Sequence, residues 1–230
     1  MDRVSGRRLL AALGIWLLLG GSVLLVSAIA LRALAPGFAP RHAPDLVAGL
    51  MWLFYLSLLA ALYLSFGGWR GLSGALGFHW TGLQDVALAE VVWIMALISG
   101  ALLTSLGERY LGPPQSNALP LVRISLDPVF VALLVPLVAL VGPAAEEMLF
   151  RGALLGWLRS VVPLPLAVVL SAAVFAGAHL IVPLLPLLFV FGLAAAYIYQ
   201  RTGSTLNSFV MHATQNSLAL IAAYLVLFRH

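Results

Sequence analysis

Seven apolar runs, each near the roughly 20 residues that a helix needs to cross a hydrocarbon core, leave this chain little choice of fold. They are Leu9–Ala30, Leu46–Phe66, Val86–Leu106, Val129–Leu158, Leu164–Leu180, Leu184–Gln200 and Leu206–Phe228. Lipid offers no partner to backbone N–H and C=O groups, so such runs must satisfy them internally, as helices. The expected fold class is all-α: a polytopic membrane helix bundle of about seven transmembrane helices. Composition agrees, with 63% hydrophobic and only 9% charged residues, against about 25% charged in a soluble domain. The 230 residues, 1–230, read as a single membrane-embedded domain with no room for a soluble one. The first run follows a basic start, like a signal peptide, but exceeds the roughly 7–15 residues of a signal core. It is read as a retained helix.

The net charge of +4 rests on arginine alone, and lysine is absent. The arginines are scattered rather than clustered, so nucleic acid is not an expected partner. They divide six against five between the two sides of the bundle, so only Arg3, Arg7 and Arg8 favour a cytoplasmic N-terminus. The lack of cysteine excludes a disulfide framework, a thiolate nucleophile and a cysteine-ligated metal. The expected location is the bilayer of a bacterial cell (inner) membrane, crossed many times.

Few strongly polar groups fall inside these runs. Glu146, Glu147 and Arg151 lie on the fourth, which is expected to be interrupted at Gly142-Pro143. Each ionisable group at a bilayer centre costs roughly 2.5–3.5 kcal/mol on insertion scales, so three together form a site or a strongly paired element. Glu147 and Arg151 are four apart with the acid first, the better order for a helical ion pair. Glu146 is turned about 100° away and is left for another task. Phe175 lies one turn before His179 near the end of the fifth run, and His212 shares one face of the seventh with Asn216. Counting about 1.5 Å per residue, Glu146 and His179 stand level across their shared turn. His212 and Asn216 join that level only if this turn projects beyond the membrane. Glu90, His42, His79 and His230 read as interfacial or loop groups without a role.

Glu146, His179, His212 and Asn216 together fit peptide-bond hydrolysis by water. A carboxylate in an apolar cavity serves as a general base. Glu146 with His179 would hold and deprotonate the water, while His212 and the Asn216 amide would donate to the oxyanion. The same residues admit a second chemistry, in which Glu146, His179 and His212 bind a divalent metal such as zinc. No HExxH helix is present, and Asn216 suits hydrogen-bond donation better than zinc ligation, so a metal-free site is favoured.

The motifs EExxxR (Glu146, Glu147, Arg151), FxxxH (Phe175, His179) and HxxxN (His212, Asn216) occur in order on successive runs. In these the chain resembles the CAAX prenyl endopeptidase and bacteriocin-processing (CPBP) family of intramembrane proteases, over roughly residues 129–220. The resemblance implies a catalytic core of about 129–228. It implies Glu146 as water-activating base with His179, His212 and Asn216 at the oxyanion, and Glu147 with Arg151 in support. It implies a peptide or membrane-protein substrate without naming one. Two other readings compete: a non-catalytic bacteriocin-immunity or partner-binding membrane scaffold, and a proton-coupled carrier. The carrier often shows repeated, broken helices in matched halves, and only one interruption is found.

Overall fold

The computed structural model describes residues 4–34, 37 and 39–229. Arg3 and His230 lie outside the described residues. Every regular element is helical among the described residues. Six helices are long and apolar enough to span a membrane. They are α1 (Gly6–Ala33), α2 (Pro44–Phe66), α3 (Leu83–Leu111), α4 (Pro128–Val161), α6 (Val182–Thr202) and α7 (Thr205–Leu227). The apolar helix α5 (Leu164–Ala178) is shorter and makes the seventh of the expected bundle.

Local chemistry sets the ends. Proline occupies the first turn of α2, α4 and α5, where its missing N–H costs nothing. Asp127 caps α4 by accepting from the N–H groups of Val129 and Phe130 at 2.8 and 3.4 Å. Gly203 ends α6 at φ +73°, a left-handed conformation that a side chain would oppose. Ser204 caps α7 and donates to the His79 carbonyl, while the Thr205 N–H reaches the Gly77 carbonyl at 2.9 Å. Asn207 Nδ2 donates to Thr81 Oγ1 at 2.7 Å. Together these bonds pin the start of α7 to the turn before α3, and so fix the height of everything α7 carries.

The fourth span is not broken where the sequence led us to expect. It runs on through Gly142-Pro143, with π-helical register over Leu137–Val141 and again over Met148–Leu155. The wider register accommodates the proline inside a continuous helical run, because the turn before it bonds five residues apart.

The main core gathers Leu58 and Leu62 of α2, Trp93 of α3, Met148 and Phe150 of α4, Phe175 of α5, Phe191 of α6 and Met211 of α7. Helices α5 and α6 meet at backbone distance. A Cβ on Gly192 would stand 2.9 Å from Ala172 Cα, which no side chain tolerates. Leucine, isoleucine and valine face outward along α1 and α3, as lipid requires, with Leu18 and Ile98 among the most exposed.

Candidate active site

The paired charges lie at the centre of the bundle. Glu147 and Arg151 are buried, and Arg151 Nη1 donates to Glu147 Oε1 at 2.7 Å, one turn apart as the spacing predicts. The same oxygen lies 2.9 Å from His212 Nδ1. A carboxylate only accepts, so Nδ1 carries the proton, and Glu147 thereby fixes both the tilt and the tautomer of the imidazole. Nε2 then points at the other glutamate: it stands 3.9 Å from Glu146 Oε2. One ring of α7 thus faces two consecutive residues of α4.

Phe175 joins these parts. Arg151 Cζ sits 4.2 Å above its ring centroid, a desolvated cation–π contact. The rings of His179 and His212 lie 4.9 and 5.7 Å away, both edge-on. Phe191, which the sequence reading passed over, stacks on Phe175 at 5.7 Å and meets His212 at 5.0 Å. His179 ends α5 with Nδ1 2.9 Å from the Phe175 carbonyl. A carbonyl cannot donate, so Nδ1 is again the protonated nitrogen and Nε2 is left free to act.

Asn216 has a task that follows from a proline. Pro143 has no N–H to offer the turn before it, and the Val138 carbonyl, five residues back, receives Asn216 Nδ2 at 2.9 Å instead. An amide carries two hydrogens, so one remains for a ligand.

A cavity of about 290 Å³ between α2, α4, α5 and α7 is lined by Tyr55, Glu146, His179, Asn216 and the apolar Trp16, Phe54, Leu58 and Phe150. A second, of about 160 Å³, is lined by His179, His212 and Asn216 together with Gln115, Ser116 and Asn117 from the loop after α3. All four expected residues therefore line cavities, with His179 and Asn216 on both, Glu146 on the first and His212 on the second. For α4 and α7 to meet here, the α4–α5 turn must overhang. Glu147 is 14 residues from Val161 and His212 is 7 from Thr205, so the overhang is about 10 Å in upright helices.

The donors suit zinc chemically, since each imidazole has a partnered Nδ1 and a bare Nε2. Among the described residues no three His, Asp or Glu side chains stand together as a group that could hold a metal ion.

Several site residues were not foreseen. Tyr55 Oη donates to Glu146 Oε1 at 2.8 Å, and Asn117 lines both cavities. The hydroxyl of a tyrosine deep in an apolar run was the available signal, since a buried phenol needs a partner. Glu90, read as an interfacial or loop group without a role, has a partner in the bundle. It lies on α3 and accepts from Thr214 Oγ1 at 2.9 Å, beside a bond of 2.8 Å from Trp93 Nε1 to Gln215 Oε1. These two bonds hold the turn of α7 between His212 and Asn216 against α3. His79 lies in the turn after α2, with Nδ1 3.1 Å from the Ser73 carbonyl.

Residues 128–218 match the Rce1-like family, described as type II CAAX prenyl endopeptidase Rce1-like. No curated protein and no solved structure matches the chain. The matched segment runs from the first residue of α4 into α7, and it contains Glu146, Glu147, Arg151, Phe175, His179, His212 and Asn216. Over that segment the chain is similar to the CAAX-type intramembrane proteases, and its six long apolar helices make it a multi-pass integral membrane protein.

Proposed function

We propose that this protein hydrolyses a peptide bond in a membrane-associated peptide or protein, with water as nucleophile and Glu146 as general base. The observation that carries the reading is the state of Glu146 Oε2. It is buried, takes no hydrogen bond from any described residue, and faces His212 Nε2 beside an apolar cavity that also exposes His179 and Asn216. A buried carboxylate oxygen that no side chain or backbone N–H engages suits a group with a proton to receive.

In this mechanism Glu146, helped by His179 Nε2, takes a proton from water as its oxygen attacks the scissile carbonyl carbon. The C=O π electrons move to the oxygen. The remaining Asn216 N–H and a protonated His212 Nε2 stabilise that oxyanion, with the Glu147 carboxylate supplying counter-charge to the imidazolium. Collapse breaks the C–N bond, and the proton held by Glu146 passes to the leaving nitrogen. No step uses a metal. The substrate is a peptide docked in or on the bilayer, since the cavity is walled by Trp16, Phe54 and Leu58 rather than by charge.

The test is cleavage of a quenched fluorescent peptide by the purified protein. Glu146→Gln keeps the shape and removes the base, and should abolish turnover. Cleavage at the unaltered rate would refute the assignment.

A further inference from the structure

We infer that Tyr55 is a positioning residue for Glu146, engaging one carboxylate oxygen so that the other alone faces the attacking water. This rests on Glu146 acting as base, and extends the working site to α2, outside the family-matched segment.

Four observations converge. Tyr55 Oη donates to Glu146 Oε1 at 2.8 Å, while Oε2 takes no hydrogen bond from any described residue. His212 Nε2, at 3.9 Å, is too distant to hold the carboxylate by itself. A glutamate has three rotatable side-chain bonds, so one short bond to a rigid ring is what sets the plane of its carboxylate. Glycine at 142 leaves the ring room to pack against α4. A Cβ there would stand 3.3 Å from Tyr55 Cζ, 3.4 Å from Cε1 and 3.3 Å from the Leu137 carbonyl oxygen, close enough that the ring would have to give by a few tenths of an ångström. Gly142 lies one turn before Glu146 on the same helical face, which places the hydroxyl beneath the carboxylate.

The turn carrying Tyr55 is itself braced from α1. Trp16 Nε1 donates to the Phe54 carbonyl at 3.2 Å, and the two rings pack with centroids 4.9 Å apart. Filling the slot alone would need only phenylalanine; the hydroxyl is required to orient the base.

Turnover of the quenched peptide by the full chain in detergent tests this. Tyr55→Phe should lower kcat roughly 10–100-fold, the usual cost of losing an orienting partner, with KM unchanged. Gly142→Ala keeps the phenol but displaces it, and should also lower kcat. In the double variant the two losses should not add, because both act through one bond. Unchanged kcat in Tyr55→Phe, or full additivity with Gly142→Ala, overturns the assignment. Should Tyr55→Phe fail to fold, Gly142→Ala decides alone: unchanged kcat overturns the assignment, and a fall at constant KM supports it. Glu146→Gln in the same assay separates the two readings. Inactive Glu146→Gln beside fully active Tyr55→Phe removes only the role of Tyr55, whereas active Glu146→Gln removes the base and Tyr55 with it.

Discussion

Asn216 and Val138 are bound to each other because Pro143 is not an N–H donor: the amide Nδ2 lies 2.9 Å from the carbonyl that the helix leaves unserved. The bond ties α7 to α4 at the level of the two cavities, and it sets the direction of the second amide hydrogen. Asn216→Ala should therefore act twice. Turnover should fall about 10²–10³-fold through the lost donor, and stability should fall about 1–3 kcal/mol through the stranded carbonyl. Adding Pro143→Ala supplies an N–H to that turn. Thermal unfolding of the double variant should recover while peptide cleavage stays low; recovery of both would show that Asn216 serves the helix alone.

The buried pair of Glu147 and Arg151 separates fold from chemistry in another way. Arg151→Met leaves a carboxylate without its guanidinium in a dry core, and should cost about 3–5 kcal/mol. Glu147→Leu together with Arg151→Met removes both charges, and should restore most of that stability. Cleavage should remain lost, because His212 Nδ1 then has no acceptor to hold it. Active double variants would show that His212 needs no carboxylate behind it.

Glu90 and Thr214 give a structural control. Both lie inside the bundle, and neither lines either cavity. A double-mutant cycle of Glu90→Gln and Thr214→Val, read by unfolding in detergent, should give a coupling of about 0.6 kcal/mol and no more than about 1.7. The KM for the peptide should stay constant across all four proteins. A changed KM would mean that this contact reaches the substrate.

Metal removal tests the proposed water activation directly. Prolonged dialysis against a strong chelator should leave peptide turnover unchanged, because Glu146 and His179 perform every proton transfer in the proposed sequence. Loss of turnover that added zinc restores would replace that sequence with one in which the ion activates the water.

The seven spans were legible because lipid enforces them: each apolar run became a helix within a few residues of its expected ends. The motif residues were legible too, since an ion pair such as Glu147–Arg151 follows from spacing within one helix. What was lost was the rotation of helices against one another. In a soluble helix the polar face announces the outside, but here both faces of α2 are apolar and the sequence carries no phase. Tyr55 therefore carries no signal of its direction in the sequence, although its hydroxyl is committed to Glu146. The partner of Glu90 was hidden for a similar reason. Thr214 lies 124 residues away, and a threonine in a membrane helix announces nothing by itself. The interruption expected at Gly142-Pro143 failed on backbone physics, because a π turn absorbs the proline and leaves the rod intact.

The imidazole of His212 meets Glu146 and Glu147, which are neighbours in sequence and point about 100° apart around their helix. A flat ring that addresses both must stand like a clock hand between two hours. Turning the fourth span by a few tens of degrees would lengthen one contact while shortening the other. The compass bearing of a whole membrane rod is thereby written into the geometry of a single five-membered ring.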